Sequence, residues 1–96
     1  MAPIDFENER VKDVCRENDI LQLCLFGSLV RGEEREDSDI DLLARFSKPK
    51  SLLSVVAIQR QLSEALSHPV DLVTEPAISP YLRERIMSEL KVVYDA

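Results

Sequence analysis

The sequence predicts a small α/β (α+β) domain, a mixed β-sheet with helices packed mainly on one side. Three observations predict it. Apolar runs of strand length, Ile20 to Phe26, Asp39 to Phe46 and Val70 to Val73, alternate with longer stretches whose apolar residues recur at helical spacing. The first of these runs is apolar nearly throughout, as expected of a strand in the centre of a sheet. The length, 96 residues, suits one domain over 1–96, with a modest core and no room for separate catalytic and substrate domains.

In chain order, about Asp5 to Asn18 reads as an amphipathic helix with Phe6, Val11, Val14 and Cys15 on its apolar stripe. The strand Ile20 to Phe26 then delivers Gly27. Ser28 to Gly32 reads as a short helix in which Arg31, three residues after Ser28, lies on nearly the same face. Glu33, Glu34, Glu36 and Asp37 follow without ligand-like spacing and read as solvated loop residues. The strand Asp39 to Phe46 closes at Ser47-Lys48-Pro49-Lys50, where the proline stops pairing and the lysines read as an exposed turn. Ser51 caps a helix to about Leu66 whose expected buried face is Leu52, Val55, Val56, Leu62, Ala65 and Leu66. Ser67-His68-Pro69 breaks that helix, so His68 marks a loop and is not the expected general base. After Val70 to Val73, Ser79-Pro80 opens a helix to about Leu90 with Leu82, Ile86, Met87 and Leu90 in a stripe for core or partner contact. Val92 to Tyr94 reads as a final edge strand.

The chemistry concentrates between Phe26 and Leu43. In a strand, successive side chains alternate between faces, so Asp39 and Asp41 project together and Ile40 and Leu42 project oppositely. Adjacent carboxylates repel, and a divalent cation between them favours both ionised forms. Oxygen-only ligands suit a hard ion, Mg2+ or Mn2+. A glycine at a strand end lets the backbone approach a ligand, and a following helix start presents N–H groups to phosphate. Gly27 and Ser28 therefore form a candidate phosphate site beside a candidate metal site, with Leu29 to Ser38 returning the chain to the aspartates. Arg31 either faces phosphate and the carboxylates or pairs with the acidic loop. Asp71 interrupts an apolar strand and needs a partner, a cation or an edge. If its strand lies beside that of Asp39 and Asp41, it completes a carboxylate triad.

Gly-Ser, ten residues, then Asp-x-Asp resembles the signature of the nucleotidyltransferase superfamily that includes DNA polymerase β. More narrowly, Gly27-Ser28-x-x-Arg31-Gly32 followed by Ser38-Asp39-Ile40-Asp41-Leu42-Leu43 resembles the minimal nucleotidyltransferases, and Asp71 stands in the family's Val-Asp-Leu-Val setting. The resemblance covers nearly the whole chain. It implies the nucleotidyltransferase fold, two Mg2+ ions held by Asp39, Asp41 and Asp71, with Asp71 also taking the acceptor proton, and ATP phosphates bound by Gly27 and Ser28. It further implies transfer of AMP to a hydroxyl, a tyrosine of a HEPN-domain RNase toxin, with this chain as antitoxin in a hetero-oligomer. Two other readings stand beside it: an antitoxin acting by binding alone, and a transferase for a free small-molecule hydroxyl. The lack of a second domain weighs against a deep small-molecule pocket.

Composition narrows the classes further. A formal net charge of −6 argues against tracking nucleic acid, which needs clustered Lys and Arg, and fits solubility or a basic protein partner. Cys15 and Cys24 are the only cysteines, lie among apolar residues and read as small core side chains. Residues 1–7 lack the basic and apolar parts of a signal peptide, and no apolar run has the length of a membrane span. A reducing cytoplasm is the expected setting.

Overall fold

A computed structural model describes residues 4–27, 32 and 39–96. The proposed short helix from Ser28 to Gly32, with Ser28 and Arg31, and the acidic loop to Ser38 lie outside the described residues, except Gly32. Helix α1 spans Glu9–Glu17, strand β1 Ile20–Phe26, β2 Ile40–Phe46, helix α2 Leu52–Leu66, β3 Val70–Thr74, a single 3-10 turn Glu75–Ala77, helix α3 Pro80–Glu89 and β4 Lys91–Asp95. The strands form a mixed sheet in the order β3-β2-β1-β4. β1 pairs antiparallel with β2 and β4, whereas β2 and β3 run parallel across the connection that contains α2.

Each helix starts where the sequence supplies an acceptor for its free N–H groups. Asn8 accepts from Val11 N at 2.9 Å, so α1 begins at Glu9 and leaves the expected residues Asp5 to Asn8 before it. Ser51 accepts from Ser54 N at 3.2 Å, and Ser79 with Pro80 opens α3. α2 ends at Ser67, whose left-handed backbone (φ 56°) reverses the chain toward β3.

The core lies between one sheet face and helices α1 and α2. Val11 and Cys15 of α1, Ile58, Leu62, Ala65 and Leu66 of α2, and Leu23, Leu25, Ile40, Leu42, Ala44, Val70 and Leu72 of the sheet are buried together. This corrects the expected buried face of α2. Leu52 is 79% and Val56 44% exposed, while Ile58 is buried at 2%. Val55 packs against the core edge as expected, whereas Leu52 and Val56 in the first two turns do not, and full burial begins at Ile58. Phe6 and Val14 pack against the core edge, and Cys24 is buried on the other face of β1. α3 lies near β1 and has no buried residue: Ile86, Met87 and Leu90 are half-buried, and Leu82 is exposed.

Candidate active site

The antiparallel pairing of β1 with β2 and the parallel pairing of β2 with β3 bring three strand ends together: the C-terminal end of β1, followed by Gly27, and the N-terminal ends of β2 and β3. Asp41 pairs with Asp71 in register. Residues in register on neighbouring parallel strands point to the same face, about 4.8 Å apart along the sheet. Their neighbours Ile40, Leu42, Val70 and Leu72 all enter the core, so both carboxylates occupy the opposite face. Asp39 stands one residue ahead of β2, two before Asp41, at an exposed position. Asp71 thus lies beside the Asp39–Asp41 strand and is at the same time on a solvent-facing edge, two placements that the sequence had set as alternatives.

Gly27 is shaped by Asp41. It is buried with φ +81°, a conformation that L side chains rarely adopt, and a Cβ built there would overlap the Asp41 carboxylate at Oδ2. The strand therefore ends in glycine for two reasons: the turn requires it, and the missing side chain leaves space for a carboxylate. That space is where the chemistry expects one. The donor set of Asp39, Asp41 and Asp71, all carboxylate and all at one end of the sheet, fits Mg2+ or Mn2+. Among the described residues, no three His, Cys, Asp or Glu side chains converge into a ready-made ion cage. Asp39 and Asp71 are exposed enough to turn toward water.

The backbone around these acids is tied down from β3 and α2. Ile40 N donates to Pro69 O at 2.9 Å, which fixes the chain immediately after Asp39. Val70 N donates to Ser63 Oγ at 3.0 Å and Leu72 N to Gln59 Oε1 at 2.8 Å, so the amides on both sides of Asp71 bond side chains of α2. Sequence reasoning passed over Gln59 and Ser63. The available signal was their spacing, polar residues four apart, each next to a buried residue, Ile58 and Leu62. His68 contributes nothing comparable: its Nδ1 bonds Leu66 O at 3.1 Å, closing the loop after α2.

Residues 8–93 match the family model of the nucleotidyltransferase domain, and the chain belongs to that family. A candidate protein adenylyltransferase of Methanocaldococcus jannaschii is 45% identical over 65 residues, 68% of this chain and 70% of that protein. The protein adenylyltransferase MntA of Thermococcus cleftensis is 36% identical over 75 residues, 78% of this chain and 74% of its own length. The solved structure of a candidate minimal nucleotidyltransferase superposes with a TM-score of 0.72 at 33% identity, covering 95% of this chain and 98% of that one. The fold also matches, at a TM-score of 0.67 and 21% identity over 91% of this chain and 68% of that one, a structure of a tri-AMPylated Shewanella oneidensis HEPN toxin in complex with an MNT antitoxin. No described helix is long and apolar enough to cross a membrane.

Proposed function

We propose that this chain is a metal-dependent adenylyltransferase that moves AMP from ATP to a tyrosine hydroxyl of a HEPN RNase toxin, silencing it as an antitoxin. The observation that carries the reading is the pairing of Asp41 with Asp71 on adjacent parallel strands, with Asp39 two residues before Asp41 and a side-chain-free Gly27 making room. Asp39, Asp41 and Asp71 would hold two Mg2+ ions, which supply charge neutralisation at the α-phosphate and at the departing pyrophosphate. Gly27 and Ser28 bind the nucleotide's phosphates, and Arg31 adds a cation there. Asp71 takes the proton from the acceptor hydroxyl. The acceptor oxygen then bonds the α-phosphorus, the bond from that phosphorus to its bridging oxygen breaks, and pyrophosphate leaves. The chain offers no evident covalent nucleophile, so transfer is direct.

The relatives' names support a protein as acceptor, and the AMPylated HEPN toxin of the Shewanella complex supports that class of partner. The assembly in this proposal is a cytoplasmic hetero-oligomer of antitoxin and toxin, with no direct contact to nucleic acid. The test is intact mass of a co-expressed HEPN protein after incubation with this chain, ATP and Mg2+. The expected result is a gain of one or more AMP units that disappears with Asp39→Asn or Asp41→Asn while both variants keep the wild-type circular dichroism spectrum. Normal turnover in either variant overturns the assignment. A stable complex without mass change leaves an antitoxin that acts by binding, and neither complex nor mass change points to a small-molecule hydroxyl.

A further inference from the structure

The strand that carries Asp71 is the least supported of the strands at the site. β3 lies at the sheet edge, has five residues, and holds a carboxylate in register with Asp41. Among the described residues β3 pairs with β2 alone, which leaves the N–H groups on its other side without strand partners. Its outward amides are nevertheless satisfied. Val70 N and Leu72 N donate to Ser63 Oγ and Gln59 Oε1 of α2, and Ser63 Oγ in turn donates to Gln59 O at 2.9 Å. That last bond directs the hydroxyl proton into the helix and leaves an oxygen lone pair for Val70. α2 itself is anchored through buried Ile58 and Leu62, each adjacent to one of the two polar residues.

We infer that Gln59 and Ser63 are positioning residues for the site: they hold the edge strand β3 in register beside β2 and so keep Asp71 at the distance from Asp41 that a shared divalent ion requires. The inference rests on the reading of the three aspartates as metal ligands. Neither residue touches the ion or the nucleotide, since both act from the opposite face of the sheet through the amides that flank Asp71. Their effect belongs to metal affinity. Outer residues that orient a ligand typically change metal affinity by roughly 10- to 100-fold when removed.

The test is Mn2+ titration, followed by electron paramagnetic resonance, of the whole chain with a non-hydrolysable ATP analogue. Gln59→Met keeps the side chain's length and removes the acceptor, whereas Gln59→Glu keeps an acceptor oxygen. The expected result is a loss of roughly tenfold in Mn2+ affinity for Gln59→Met, and recovery of most of it in Gln59→Glu. In an Asp71→Asn background, Gln59→Met should cost nothing further, because the residue it positions is gone. Equal Mn2+ affinity in wild type and Gln59→Met, or full additivity with Asp71→Asn, overturns the inference and leaves the two residues as supports of the sheet edge. Asp39→Asn separates the two levels of the argument. If it too binds Mn2+ as the wild type does, the metal reading fails and this inference falls with it; if it loses Mn2+ while Gln59→Met does not, only the positioning role fails.

Discussion

Gly27 joins backbone and chemistry in one residue. Any side chain there must adopt φ near +81° and share space with the Asp41 carboxylate. A left-handed backbone costs a non-glycine residue about 1–2 kcal/mol, and displacing a carboxylate from the site adds a functional loss. Gly27→Ala should therefore lower stability by about 2 kcal/mol in urea denaturation and remove ATP-dependent transfer as well. Cys15 shows the opposite kind of residue, buried and chemically silent. Burial raises its pKa from the usual 9.0 to about 11, against a smaller lowering by Arg16. The folded state thus holds the thiol proton more tightly than the unfolded chain does. Its stabilising contribution is complete below pH 9 and is lost as the pH rises toward 11, because the unfolded state gains by ionising first. Melting temperature measured under reducing conditions should fall across that range, and fall less steeply in Cys15→Ala.

Among the elements, those with a strong local signature were legible from sequence. β1, β2 and β3 lie within one residue of the apolar runs, and α2 and α3 start at their serine caps. The face of α2 was legible only in part: Val55, Ile58, Leu62, Ala65 and Leu66 form the stripe that meets the core, while Val56 lies to its side and Leu52 at the helix start is exposed. Periodicity identifies a helix and one apolar side; it does not say where along the helix the partner surface ends. α1 is shorter than its apolar stripe suggests, because Asn8, rather than Asp5, has its side chain on the first free amides. Asn8 also donates through Nδ2 to Ala65 O at 3.0 Å, joining the cap of α1 to the last turn of α2. Asn8→Ala should consequently cost about 1–2 kcal/mol of stability, read by chemical denaturation, and leave the rate of transfer unchanged. Its contacts lie on the covered side of the sheet, away from the aspartates.

At the scale of the whole molecule, the strand order β3-β2-β1-β4 decides what the site can be. Asp39-Ile40-Asp41 and the glycine before it were readable because the alternation of a strand and the turn at its end are local properties. The meeting of Asp71 with Asp41 was not readable from residues alone, since strand order and register are set by packing; it entered as a condition that the parallel β2–β3 pairing meets. Ser28 and Arg31 remain sequence-level assignments. The same order has a consequence during synthesis. β1 lies between β2 and β4, yet β4 is made about 65 residues after β1 ends, and ribosomes add roughly 5–20 residues per second. The strands that carry the aspartates are thus complete seconds before β1 receives its second neighbour, and the buried middle of the sheet spends that interval with one side open to the chaperones and nascent chains around it.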